Sequence, residues 1–202
     1  MTKQLKPHFP PNSANKAYYA DVNFDILGKI IEKVTDSRLE DIYNQFIYEP
    51  LGLKNTYLPQ EENDFVPDIY YKQTRLQRPL FINSCPASGG GVSTARELMV
   101  FMKAFFSGQL FSHIHFKKHS LSNHLQMSMY PIQYGGGYMR IPLEGFSTLF
   151  TGKGELVGHT GSTGSFAFYY PHKELFLVGG VNQLANPTIP IRTAIKLAIA
   201  LK

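Results

Sequence analysis

Ser165-Phe166-Ala167-Phe168-Tyr169-Tyr170-Pro171-His172-Lys173-Glu174-Leu175-Phe176-Leu177-Val178-Gly179-Gly180-Val181-Asn182 decides the reading of this chain. Two runs rich in aromatic and β-branched residues flank the short Pro171–Glu174 connection, so the stretch predicts an antiparallel hairpin. Just upstream, Leu156 to His159 and Tyr134 to Ile141 are further short runs of the same kind, separated by glycine and proline turns. Downstream, Pro190 opens a helix whose Ile191, Ala194, Ile195, Ala198, Ile199 and Leu201 form an apolar face able to cover one side of a sheet.

The N-terminal half has a different period. Phe24, Leu27, Ile30, Ile31 and Val34 recur at spacings of three and four, which predicts a helix over Asn23 to Val34 with one apolar face that must pack on something. Asp21 or Asn23 is placed to cap it. A second helix is expected from about Ser37 to Tyr48, with Leu39, Ile42, Tyr43, Phe46 and Ile47 inward and a stop before Pro50. Residues 59–88 read as a long excursion holding one short hairpin, the kind of loop that often borders a site. The glycine turn 89–91 leads into Thr94-Ala95-Arg96-Glu97, a capping box, and a helix from Ala95 to Phe106 ended by Gly108. Helices first, then a strand meander closed by a helix, indicate an α+β fold with an antiparallel sheet flanked by helices.

At 202 residues with 43% hydrophobic and 17% charged content, one globular unit is expected over 1–202, preceded by a loop or linker over 1–17. The net charge of +5 comes from scattered lysines and arginines with one tight cluster, Lys117-Lys118, so a nucleic-acid partner is not expected. Cys85 is the only cysteine, which excludes an intrachain disulfide and a thiolate zinc cluster. His113, His115, His119 and His124 crowd into twelve residues without a metal-binding spacing, so they read as a solvated face. No cofactor or metal is expected. Residues 1–7 lack the apolar core of a signal peptide and no run approaches 18 apolar residues, so no membrane segment is expected, and the compartment stays open.

Four segments carry a resemblance. Tyr19-Ala20-Asp21 with the helix behind it looks like a Tyr-Ser-Asn motif. Pro50-Leu51-Gly52-Leu53-Lys54-Asn55-Thr56 is similar to a Pro-Leu-Gly-Met-x-x-Thr signature, and Gly89 to Phe101 to a glycine turn with a Ser-Thr-Ala-Arg helix. Gly158-His159-Thr160-Gly161-Ser162-Thr163-Gly164 matches a third active-site motif in its His-Thr-Gly form. In this order they resemble the superfamily of penicillin-binding proteins, serine β-lactamases and esterases, especially the class C β-lactamases and their relatives. The resemblance implies a β-lactamase/transpeptidase-like fold. It also implies that the chain is N-terminally incomplete against that pattern. The family's Ser-x-x-Lys motif sits several dozen residues ahead of the tyrosine, and only eighteen residues precede Tyr19 here. Ser13-Ala14-Asn15-Lys16 has the spelling of that motif, but Pro10-Pro11 precede it and Tyr19 follows too closely, so it is expected to be loop.

By resemblance, Tyr19 would share the work of a base that activates the serine, with a pKa lowered beside cations. Asp21 stands where the family has asparagine. Its carboxylate can accept from a lysine or a substrate N–H but cannot donate and brings negative charge, so the family's substrate preference does not carry over; a plain helix cap is the competing reading. His159 would face the pocket, donating to a leaving group or attracting a carboxylate. Thr160 would offer a hydroxyl, Gly161 would let substrate lie along the strand, and the Ser162 amide would be one of two oxyanion donors. The function implied is a serine hydrolase acting on amide, ester or lactam bonds of a small or peptide-like substrate through an acyl-serine intermediate, its nucleophile absent from this chain. The alternative is an inactive fragment or pseudoenzyme that binds peptide-like ligands.

Overall fold

The computed structural model describes residues 6–10, 13, 16–76, 85–112, 114–115, 122–145 and 148–201. The architecture is α+β. A six-stranded antiparallel meander runs β3 (Asn123–His124), β4 (Gln133–Gly135), β5 (Tyr138–Pro142), β6 (Glu155–Thr160), β7 (Phe166–Tyr170) and β8 (Leu175–Gly179), each strand beside its sequence neighbour. A separate hairpin, β1 (Ile69–Tyr71) with β2 (Thr74–Leu76), lies in the long excursion where one hairpin was expected. The expected strand over Tyr134 to Ile141 is instead two strands. Gly136 and Gly137 both adopt left-handed φ (63° and 85°), the geometry of a two-residue hairpin turn, and they fold the run back on itself.

Alternation along β7 separates two layers. Phe166, Phe168 and Tyr170 point to the face covered by α5 (Ile189–Ala200), where Ala194 and Ala198 are completely buried with Leu143 and Leu156. Side chains such as Leu143, Leu156 and Phe168, removed entirely from water, contribute about 1.5–3 kcal/mol each. Tyr169 points the other way, meeting Phe106 of α4 (Ala95–Ser107) and stacking on Phe176.

The helical region departs from expectation in three places. First, α1 (Asp21–Thr35) starts two residues earlier than its apolar period, with Ala20 as N-cap and no side-chain cap, because the Asp21 carboxylate is engaged by Tyr19 instead. Second, the next helix does not stop before Pro50. An α-turn α2 (Leu39–Tyr43) passes into a π-helical turn at Asn44–Tyr48 and then α3 (Glu49–Leu51), which holds Pro50 in its first turn, where a missing N–H costs nothing. Third, the apolar stripe of α1 is not covered. Val22, Ile26, Leu27, Ile30, Ile31 and Val34 are exposed, Ile26 by 53% and Val34 by 80%. The inward side holds half-buried Phe24, Asp25 and Glu32 around buried Gly28, where an added Cβ would come within 2.6 Å of the Ala87 Cβ.

Half of the expected capping box forms: Thr94 Oγ1 accepts from the Glu97 N–H (3.2 Å). The Glu97 carboxylate does not return to Thr94. It accepts from the backbone N–H of Lys54 (3.0 Å) and of Asn55 (2.9 Å), from Asn55 Nδ2 (2.8 Å) and from Thr56 Oγ1 (2.6 Å). This buried carboxylate therefore ties the Leu51–Thr56 turn to α4. Burial opposes its ionisation, but the hydrogen bonds of Thr56, Asn55 and Lys54 together outweigh that and hold the carboxyl below its ordinary range.

Candidate active site

The site is built where β6 outruns its neighbour. β5 pairs with β6 only as far as Met139 opposite Gly158, whereas β7 accompanies β6 through Thr160. The Gly161 N–H donates to Ser165 O (2.9 Å) on the β7 side, so in a trans peptide the Thr160 carbonyl points to the edge that β5 leaves open. Gly158, with φ 153°, makes this possible: a Cβ there would lie 2.0 Å from the Ala167 carbonyl oxygen.

Three aromatic groups close over that edge. The rings of Tyr19 and His159 are 5.5 Å apart between centroids, those of Tyr134 and His159 are 5.6 Å apart, and those of Tyr19 and Tyr134 are 5.2 Å apart. Tyr19, in the extended segment before α1, and His159, on β6, are 140 residues apart in sequence and come into contact. The Tyr19 hydroxyl donates to Asp21 Oδ1 at 2.8 Å. Ser162 is exposed in the turn after β6, and its N–H has no partner among the described residues.

The electrostatics differ from those expected by resemblance. Burial, the hydrogen bond to Asp21 and the Asp21 charge all push the Tyr19 phenol far above its ordinary value, where a lowered one was expected. The reason is local: the nearest charge is a carboxylate, and no cation is paired with Asp21 among the described residues. The charge of His159 is also set locally. Burial lowers its pKa against the opposing pull of Thr160 and Asp21, so the ring is neutral at physiological pH. Nδ1 lies 2.7 Å from the Thr160 carbonyl oxygen, which can only accept, so Nδ1 carries the proton and Nε2 presents a lone pair. The ring is thus an acceptor at Nε2 and offers no positive charge to a carboxylate.

Tyr134 was missed from sequence, where it read only as a strand residue. Its hydroxyl is buried without a hydrogen-bond partner and its pKa is raised by burial and the Asp21 charge. The hairpin excursion is also tied to this end of the sheet. The Tyr70 N–H donates to Asn182 O (2.9 Å), Gln183 bonds Lys72 through both amide atoms, and the Gln183 N–H donates to Thr163 O (2.9 Å) beside the Gly161–Gly164 turn. Gln183 carried no sequence signal, because its role depends on three distant segments meeting.

Ser13 Oγ donates to Pro10 O (2.6 Å), and Lys16 Nζ lies 6.0 Å from the Phe9 ring centroid. Of the histidine cluster, His113 and His119 lie outside the described residues, while His115 and His124 are exposed. Among the described residues no group of histidine, cysteine and carboxylate side chains is arranged to hold a metal, and no helix is long and apolar enough to cross a membrane.

Comparison with known proteins agrees with this fold. The model of the Beta-lactamase family matches residues 1–201. A crystal structure of a D-stereospecific amidohydrolase from Streptomyces sp. superposes with TM-score 0.74 at 22% identity, over 98% of this chain and 58% of that one. The octameric penicillin-binding protein homologue from Pyrococcus abyssi gives TM-score 0.73 at 26% identity, over 92% and 43%. A 67-residue stretch, 33% of this chain, is 39% identical to a Salmonella newport protein named "Putative D-alanyl-D-alanine carboxypeptidase", of which it covers 15%. The chain thus spans about half the length of the solved structures it matches. By its matching family model and its sheet-and-helix architecture, this chain belongs to the Beta-lactamase family.

Proposed function

We propose that this chain supplies the tyrosine–histidine wall and one oxyanion donor of an acyl-serine hydrolase, and that the nucleophilic serine lies outside this sequence. The observation that carries the reading is the 5.5 Å approach of Tyr19 and His159 over the open edge of β6. In that reaction a serine oxygen attacks an amide or ester carbonyl, its proton passing to a base. The carbonyl oxygen becomes an oxyanion that the Ser162 N–H can hold, and the leaving group departs with a proton. Water then attacks the acyl-serine and restores the hydroxyl. The Thr160 carbonyl on the open edge is an acceptor for a substrate N–H lying along the strand.

Within that class, an esterase, or a peptidase or amidase whose D-amino-acid substrate has no free carboxylate beside the scissile bond, fits better than a true β-lactamase. A lactam or D-alanyl peptide brings a carboxylate, and here His159 is neutral while Asp21 adds negative charge. A structure of D-amino acid amidase from Ochrobactrum anthropi SV3 with L-phenylalanine amide, TM-score 0.67 at 17% identity over 90% of this chain and 56% of that one, has the same fold and holds an amide without a carboxylate.

A second reading, an inactive chain that binds peptide-like ligands, is favoured by one observation: the Tyr19 proton is held by Asp21 and not poised for exchange with a serine. A fluorophosphonate probe read by mass spectrometry separates the two. Labelling only when the residues encoded upstream of Met1 are present supports the hydrolase. Labelling of Ser13 in the chain alone would move the nucleophile into this sequence, and no labelling of either form would leave the inactive reading.

A further inference from the structure

Gln183 stands where three segments far apart in sequence meet, and both ends of its side chain are engaged. Its Oε1 accepts from the Lys72 N–H (2.9 Å) and the Ala185 N–H (3.0 Å), while its Nε2 donates to Lys72 O (3.1 Å). Bonding the N–H and the C=O of one residue is what a neighbouring strand does, so this side chain stands in for a strand at the tip of the β1–β2 hairpin. The main chain extends the contact: the Tyr70 N–H donates to Asn182 O and the Leu184 N–H to Tyr70 O, both at 2.9 Å.

The same residue grips the motif turn from the other side. Its own N–H donates to Thr163 O (2.9 Å), next to the bond from the Val181 N–H to Gly164 O (3.3 Å). The approach is tight, since a Cβ on Gly164 would lie 2.5 Å from Val181 Cγ2 and 3.3 Å from Gln183 O. At the other end of the turn the Gly161 N–H donates to Ser165 O, so Ser162 is carried between two fixed ends. The joint also holds two residues other than glycine at left-handed φ, Lys72 at 56° and Asn182 at 47°. Asparagine tolerates that region, whereas lysine rarely enters it, so the paired bonds from Gln183 maintain a backbone state that Lys72 does not favour by itself.

We propose that Gln183 is a positioning residue for the oxyanion turn: bonded to Lys72 through its side chain and to Thr163 through its N–H, it makes the β1–β2 hairpin and the Gly161–Gly164 turn one body and so sets the direction of the Ser162 N–H. An oxyanion donor is most effective when its direction is fixed before charge develops. Gln183 supplies that fixity without touching substrate, and the hairpin moves with whatever moves the turn. The chemical use of the Ser162 N–H rests on the hydrolase reading; the mechanical link does not.

The test uses the nitrogen-15-labelled 202-residue chain, followed by NMR, with D-phenylalanine amide as probe. Gln183→Leu keeps the bulk and the backbone N–H but removes the three side-chain bonds; Gln183→Glu keeps those from Lys72 and Ala185 and loses the donation to Lys72 O. In Gln183→Leu the Lys72 and Tyr70 amides are expected to exchange at least about tenfold faster, with those of α5 unchanged. The Ser162 cross-peak moves, and the probe affinity read from it falls about tenfold. Gln183→Glu gives smaller changes in the same direction, and it carries the comparison if Gln183→Leu does not fold. Faster hairpin exchange with the Ser162 cross-peak unmoved overturns the proposal and leaves Gln183 an anchor of the hairpin alone. Unchanged exchange at Lys72, or a wild-type probe affinity that both variants retain, overturns it as well. If the probe leaves the wild-type Ser162 cross-peak in place while Gln183→Leu displaces it, the positioning stands and Ser162 loses its part in the hydrolase reading.

Discussion

α1 and α5 are both amphipathic helices, yet they end in opposite environments. α5 lays Ala194 and Ala198 against Phe168 and Leu156 with no exposure, and its small residues let the helix approach the sheet closely. α5 also packs Ile191 and Ile195 on the core, whereas the large aliphatic residues of α1 face water. Both sequences show the helical period; only one has a complementary surface among the described residues. An apolar period thus states that a face is suited to burial and leaves open what buries it.

That contrast is sharpened first by charge. Ala194→Asp puts a carboxylate where no water reaches and is expected to destabilise by about 4 kcal/mol or more, read as a drop in the urea midpoint. If the variant does not fold, Ala198→Val gives the graded version, about 1–3 kcal/mol from overpacking. A result near zero for either would mean that α5 does not hold the sheet.

A smaller effect separates the helical region's own anchor from its uncovered stripe. Glu97→Gln keeps the shape but weakens the bonds from Lys54, Asn55 and Thr56, for an expected loss of about 2–3 kcal/mol. The folded pKa of Glu97 lies below its unfolded value, so its stabilisation is whole above the ordinary carboxyl range. It drains away as pH falls through the folded value. Urea unfolding of the wild type should weaken over that interval, and Glu97→Gln should flatten the dependence. His159 contributes in the same direction at higher pH: its folded pKa is lowered, so its share is complete above the ordinary imidazole range and declines as pH falls below it.

Asp21→Asn tests the site with little cost to the fold. Removing the carboxylate charge is expected to lower the Tyr19 pKa and to lower that of His159 further, since Asp21 raises both. Carbon-13 labelled tyrosine and histidine, titrated by NMR, read the two shifts; an unchanged Tyr19 would remove Asp21 as the cause. Smallest of all is Ile30→Ser, expected within about 0.5 kcal/mol of wild type in the free chain, because that side chain already meets water. A loss of several kcal/mol would show that the stripe is covered.

Much of this was legible in residue order. The Phe166–Gly179 hairpin, the helix opened by Pro190 and the helix after Thr94 follow from local period, turn chemistry and capping, which act within a few residues. The motif residues Tyr19 and His159 were also nameable. Misreadings occurred where a local signal met a distant partner. Glu97 looked like a capping-box residue but its carboxylate serves a turn some forty residues earlier, and Asp21, for which a helix cap was the competing reading, accepts a hydrogen bond from the Tyr19 hydroxyl instead of capping. Pro50 read as a stop, yet it sits in the first turn of α3, directly after a π-helical turn that carries the chain on.

By itself the sequence determined the strands from Glu155 to Gly179, the periods of the helices and the family pattern, because these depend on spacing and on side-chain chemistry carried by each segment. Only the tertiary structure decided that Tyr134 joins Tyr19 and His159, that the imidazole is neutral with its Nε2 lone pair free, and that α1 faces outward. Those outcomes depend on burial and on the charge of neighbours brought in from elsewhere in the chain, and no segment carries that information alone.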